Sequence, residues 1–167
     1  SIAVTRYIED SVDSFAEYCR QYCDDLVTNS VIEMGGYIGE ELKYLRTQKN
    51  MDFNQSMSIP CYLLWNSLFI TYEGYATACC ADFQNYLVYA DLNQTPLKDA
   101  WNNEVLTNLR KAHLDGKIDG LPCVTCAYGK KTEWKPLIEE YASVCKPDIF
   151  GGFDIEKRIA EYEKTSD

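Results

Sequence analysis

Four cysteines constrain this chain more than any other feature. Cys123 and Cys126 form a Cys-Val-Thr-Cys knuckle after Pro122, while Cys61 and Cys79 flank a stretch that reads as a hairpin, with Gly74 shortly before the second thiol. A Cys-x2-Cys pair presents two thiolates in one tight turn, and a distant pair can complete a tetrahedral soft-ligand site. Zinc and iron–sulfur are the centres that such a set suits, and spacing alone does not separate them.

The remaining cysteines do not read as a disulfide framework. Eight in 167 residues is a modest density, and a chain of this length buries roughly 70 % of its unfolded surface without covalent staples. The start, Ser1-Ile2-Ala3-Val4-Thr5-Arg6, is too short and polar for the apolar core of a signal peptide. No run approaches the ~20 apolar residues needed to span a bilayer. These features point to thiols in a reducing cytoplasm and to no membrane partner. The net charge of −10 argues against a nucleic-acid partner, which needs a basic stripe. Lys130, Lys131 and Lys135 make only a small solvated patch. The chain begins without an initiator Met, which points to a piece of a longer protein.

Along the chain, residues 2–7 are β-branched and aromatic enough for a strand. Residues 11–23 carry a helical stripe at Val12, Phe15, Ala16, Cys19 and Cys23. A second strand opens near 25–28, giving a βαβ rhythm typical of a parallel sheet. Gly35, Gly36 and Gly39 mark a loop, and residues 46–57 read as a linker. The second half changes character. Residues 68–72 and 75–78 read as a hairpin about Glu73-Gly74, with glycine where positive φ is wanted. Thr95-Pro96 opens a helix whose apolar face is Leu97, Trp101, Val105 and Leu109, and Gly116 ends it. Another helix is expected over about 131–144, despite Pro136, and a last one from about Asp154 with Ile155, Ile159 and Tyr162 on one face.

Read in order, Cys61, Trp65, Leu68 to Thr71, Glu73-Gly74, Cys79-Cys80-x-Asp82-Phe83, Leu97, Trp101-Asn102, Leu109-Arg110, His113, Gly116 and Cys123-x2-Cys126 form a spaced pattern. Its signature is Cys-x12-Gly-x4-Cys, a Trp-Asn helix start, an Arg and a His on that helix, and the terminal Cys-x2-Cys. The pattern resembles the SPASM/twitch auxiliary-cluster domain at the C-terminus of many radical SAM enzymes. The resemblance implies an α+β fold. A β-hairpin plus helix module would follow βα units from the edge of a partial TIM-like barrel and precede C-terminal helices. It divides the chain into a barrel remnant (1–45), a linker (46–57), the SPASM/twitch module (58–128) and a helical tail (129–167).

Carried over to this sequence, the resemblance makes Cys61, Cys79, Cys123 and Cys126 the ligands of one auxiliary [4Fe–4S] cluster. Full SPASM domains continue with Cys-x5-Cys-x3-Cys. Here Thr132 stands sixth after Cys126 and only Cys145 follows, which favours a single-cluster, twitch-like version. The implied role is electron transfer, shaping of the substrate site, or both, in the parent enzyme. Its partners would be the N-terminal radical SAM core of the same chain, a small-molecule or peptide substrate, and an electron donor or acceptor protein. The SAM-binding Cys-x3-Cys-x2-Cys motif is absent: after Cys19-x3-Cys23 the third position is Leu26. SAM would belong only to a preceding part, and no catalysis is expected of this chain alone. The competing reading is a zinc-stabilised structural or peptide-recruiting module without a redox role, with zinc or iron in an isolated preparation.

Around the ligand set, Cys80 is the rival of Cys79. Neighbouring side chains on a strand point to opposite faces, and the Gly-x4-Cys spacing selects Cys79. Cys19, Cys23 and Cys145 read as ordinary cysteines, and Trp65 and Trp101 as core aromatics. His113 is expected to pack or to cap its helix. Arg110 either offsets cluster charge or makes a surface salt bridge. Asp82, Asn85 and Tyr86 are candidates for a substrate face.

Overall fold

The computed structural model describes residues 2–30, 58–130 and 132–147, with the single helical positions Lys157, Ala160 and Lys164. The Gly35–Gly39 loop, the 46–57 linker and nearly all of the helix expected from Asp154 lie outside the described residues. The chain divides into two compact units, one of residues 1–58 and 123–131, the other of residues 59–122 and 132–167. Helix and strand are mixed throughout, an α+β composition.

In the first unit, β1 (Ile2–Val4) and β2 (Thr28–Ser30) pair in parallel, with Ile2 opposite Thr28 and Val4 opposite Ser30. Parallel neighbours need a crossover, and α1 (Val12–Cys19) supplies it. This is the βαβ rhythm expected from the sequence, with shorter elements. None of residues 3–29 is buried, and Phe15, Tyr18 and Tyr22 are exposed.

The second unit holds a three-stranded antiparallel sheet of β3 (Phe69–Ile70), β4 (Tyr75–Thr77) and β5 (Val88–Asp91), in that order. The β3–β4 hairpin turns where the sequence places it. Gly74 takes φ +95°, and its N–H donates to Thr71 O at 3.0 Å. An added Cβ there would lie 2.6 Å from the Asn93 amide nitrogen, so glycine is required twice over. A bulge between Ala76 and Thr77 shifts the register against β5, a strand whose four residues are all buried.

Two helices follow where the periodicity expects one. Helix α3 (Leu97–Trp101; α2 is the short Leu63–Asn66 turn) ends at Asn102. Asn103 then takes an extended conformation, and its side-chain oxygen accepts the Leu106 N–H at 2.8 Å, an N-cap that starts α4 (Glu104–Asp115) anew. Asn103 Nδ2 also donates to Tyr89 O at 2.8 Å, which ties the break to the sheet. Trp101-Asn102 is therefore a helix end, not a helix start. Gly116, with φ +69°, closes α4 as expected.

The helix expected over 131–144 is a correction. Residues 132–137 are irregular, and only Glu139–Val144 turn, as a 3-10 helix. Backbone groups here bond outward: Lys135 N–H to Gly120 O, Leu137 N–H to Tyr86 O, and Lys146 N–H to Gln84 O. Pro136 offers no donor.

Candidate metal centre

Cys61 lies two residues before α2, with Tyr62 at the helix N-cap. Leu64 N–H donates to Cys61 O at 3.3 Å, and Trp65 N–H to Tyr62 O at 3.0 Å, forming one tight turn. Cys79 follows β4 where the chain leaves the sheet after the bulge. Its sulfur accepts the Ala81 N–H at 3.3 Å and is half-buried, whereas Cys80 is exposed.

The loop carrying Cys79 is organised by Asp82, which is 2 % exposed. Its carboxylate accepts Thr77 Oγ1–H at 2.6 Å, Tyr86 N–H at 2.8 Å and Leu87 N–H at 2.7 Å. A buried carboxylate needs such donors. Asn85 is buried at φ +64° and donates Nδ2–H to Val144 O at 3.1 Å. Tyr86 packs its ring edge-on against Trp134, 5.7 Å between centroids. These three residues brace the loop from within.

In the first unit, Cys123 and Cys126 lie on α5 (Pro122–Tyr128) and not in a non-helical knuckle. Their i, i+3 spacing still places both on one helix face. Both are half-buried, while Val124 and Thr125 between them are buried. Thr125 Oγ1–H donates to Lys130 O at 3.0 Å.

The other cysteines differ. Cys145 donates its thiol to Asn85 O at 3.4 Å. Burial first, then the nearby Asp82 and Glu139 charges, push that thiol above its ordinary range, so it stays a protonated donor. Cys23 is exposed and donates to Cys19 O at 3.2 Å. All eight cysteines stand outside disulfides.

On α4, His113 is 2 % exposed, and burial lowers its tendency to protonate. It neither caps the helix by its side chain nor meets solvent. Its Nδ1 accepts the Cys61 N–H at 3.3 Å. Among the described residues Arg110 makes no salt bridge: Nε donates to Leu64 O at 2.8 Å, Nη1 to Trp101 O at 3.2 Å, and the guanidinium lies 4.5 Å over the Trp101 ring. Trp65 is 41 % exposed, a correction to its core reading, and with Leu68, Leu97 and the half-buried Trp101 it lines an open groove.

Residues 61–127 match the SPASM family model, an iron-sulfur cluster-binding domain. The chain carries a SPASM domain. That match begins at Cys61 and ends one residue past Cys126, and it implies iron–sulfur cluster binding. No curated protein and no solved structure matches the chain.

The residues present suit such a group. The SPASM segment supplies four half-buried thiols, of which Cys79 already receives a backbone N–H. Thiolates that accept N–H bonds are what iron–sulfur sites use. Among the described residues, no three His, Cys, Asp or Glu side chains stand gathered as a metal site. Cys61 and Cys79 belong to one unit, Cys123 and Cys126 to the other. No helix among the described residues is long and apolar enough to cross a membrane.

Proposed function

We propose that this chain is the auxiliary-cluster portion of a radical SAM enzyme, holding one [4Fe–4S] cluster through Cys61, Cys79, Cys123 and Cys126. The observation that carries the reading is the extent of the SPASM match, bounded by the first and last of these thiols. The cluster supplies one-electron chemistry when bound. Four cysteine ligands leave no open iron position, which favours electron transfer and shaping of the substrate site over direct coordination of substrate.

The chain's own residues orient and seat the ligands. The turn before α2 presents Cys61, the Asp82-centred loop presents Cys79, and α5 presents Cys123 and Cys126 from one face. The parallel β1–α1–β2 unit supports residues 1–45 as the edge of a partial barrel, joined through 46–57 to the module at 58–128 and the tail at 129–167. The partners follow from this assignment: the N-terminal radical SAM core, which would bring SAM, then a small-molecule or peptide substrate and an electron-transfer protein. Eight cysteines outside disulfides support a reducing, cytoplasmic setting.

Anaerobic reconstitution with iron and sulfide tests the reading. About four irons per chain and a reducible visible chromophore are expected. Cys61→Ala, Cys79→Ala, Cys123→Ala and Cys126→Ala should each abolish stable loading, while Cys80→Ala, Cys19→Ala and Cys145→Ala should keep it. Uptake of zinc with rejection of iron would overturn the proposal in favour of a structural module.

A further inference from the structure

The Cys61–Leu64 turn is held at both ends by one face of one helix. His113 and Arg110 lie at i, i+3 on α4. His113 Nδ1 accepts a hydrogen bond from the N–H at the start of the turn, and Arg110 Nε–H donates one to the carbonyl at the end. Helix α2 spans only Leu63–Asn66, too short to be stable on its own hydrogen bonds. Burial of Leu64 and this two-point attachment therefore hold it in position. Arg110 extends the attachment to Trp101 O, so the turn, the end of α3 and the middle of α4 are tied through one guanidinium.

Hydrogen bonding fixes the histidine tautomer. Because Nδ1 accepts, the proton sits on Nε2. Nε2 is buried without a partner among the described residues. A leucine would fill that space without burying an unsatisfied donor. What an imidazole adds over a leucine at this site is the acceptor that Nδ1 offers to Cys61.

We propose that His113 and Arg110 are positioning residues for Cys61 as a cluster ligand, acting through the backbone of its turn. The inference rests on the reading that Cys61 binds the cluster. Partners that orient a metal ligand change how firmly the metal is held.

The test uses the full chain reconstituted anaerobically, with iron release to a chelator as the readout. His113→Leu keeps the packing and removes the acceptor; His113→Asn keeps an acceptor near the Nδ1 position and packs worse. His113→Leu should release iron about tenfold faster than the parent chain, with His113→Asn much closer to it. Arg110→Met, which keeps the stem and removes the donors, should shift release in the same direction as His113→Leu. A purely packing role predicts the reverse order of the two His113 variants, and that order would overturn the inference. Release from both His113→Leu and Arg110→Met at the parent rate would overturn it too. Cys61→Ala separates the layers. Full iron content in Cys61→Ala would sink the ligand reading itself, whereas loss of iron there, with parent-like release from His113→Leu, would sink only the positioning role. Should His113→Leu fail to fold, Arg110→Met with its far-UV dichroism carries the test alone.

Discussion

The β1–α1–β2 segment and the β3–β4–β5 sheet have similar strand lengths but very different interiors. The first buries none of residues 3–29, and α1 leaves Phe15 and Tyr18 exposed. The second encloses Ala76, all of β5, Leu106 and Leu109, with Asp82 and His113 buried among them as polar groups. Parallel strands usually need cover on both faces, whereas an antiparallel sheet is stable with one. A hydrogen-bonded pair is thus enough to define a βαβ segment, but not to give it a core. The polar ties that define the candidate site occur where such a core exists.

The sharpest way to break this contrast is Asp82→Ala. Two backbone N–H groups and the Thr77 hydroxyl would lose a charged acceptor in a buried site. We expect a loss of about 3 kcal/mol or more in denaturant unfolding of the metal-free chain. A loss below about 1 kcal/mol would mean that water replaces the carboxylate and that the loop is not sealed.

Gly74→Ala comes next. The new methyl meets Asn93 Nδ2, which itself donates to Glu73 O and Asp91 Oδ1. Strain at positive φ adds to that clash, and about 1–3 kcal/mol of destabilisation is expected. An unchanged denaturation midpoint would show that the turn shifts at little cost.

Acid supplies a gentler probe. The Asn93 backbone N–H, helped by the Asn93 and Gln94 side chains, holds the Asp91 carboxyl below its ordinary range against the opposing effect of burial. Lys146 does the same for Glu73 through a direct hydrogen bond. Depressed carboxyl values mean that the unfolded chain binds protons first as pH falls. Their stabilisation is therefore complete above pH about 5 and is lost progressively as pH falls through the depressed folded-state values. Thermal melts from neutral pH downward should show this decline, and Asp91→Asn should flatten part of it. An acid slope in Asp91→Asn equal to that of the parent would exclude Asp91 as a contributor.

The smallest effect is expected in the other region. Phe15→Ser should change stability by no more than about 0.5 kcal/mol, because little is buried there. A loss of about 2 kcal/mol would mean that α1 is covered in solution, and the contrast would fail.

Much of this was legible in the sequence. Local signals held: the βαβ rhythm, the hairpin about Gly74 and the stop at Gly116 each depend on residues close together in the chain. Strand β5 was missed because four consecutive buried residues show no alternation. The break at Asn103 was hidden because Leu97, Trp101, Val105 and Leu109 keep their period across it, and the polar residue that resets the helix was read as part of it. At the site, residue types were readable but their attachments were not. Arg110 and His113 find their partners 46 and 52 positions away, beyond any local pattern. Asp82 reads in the sequence as a substrate-face candidate and not as a buried anchor, because the three donors that justify its burial appear only once the loop has closed.

The Cys61–His113 bond also bears on the order of assembly. The entropy of closing a loop grows with its length, so contacts across a few residues form more readily than one spanning 52 positions. By this reasoning a growing or refolding chain is expected to acquire its hairpin turn and helix cap before the seat of Cys61. Iron arriving early would meet a thiol still swinging on a loose strand of chain. Iron arriving late would meet the same thiol parked against α4. Fixing Cys61 thus requires that the two ends of the chain between it and His113 have already been drawn together.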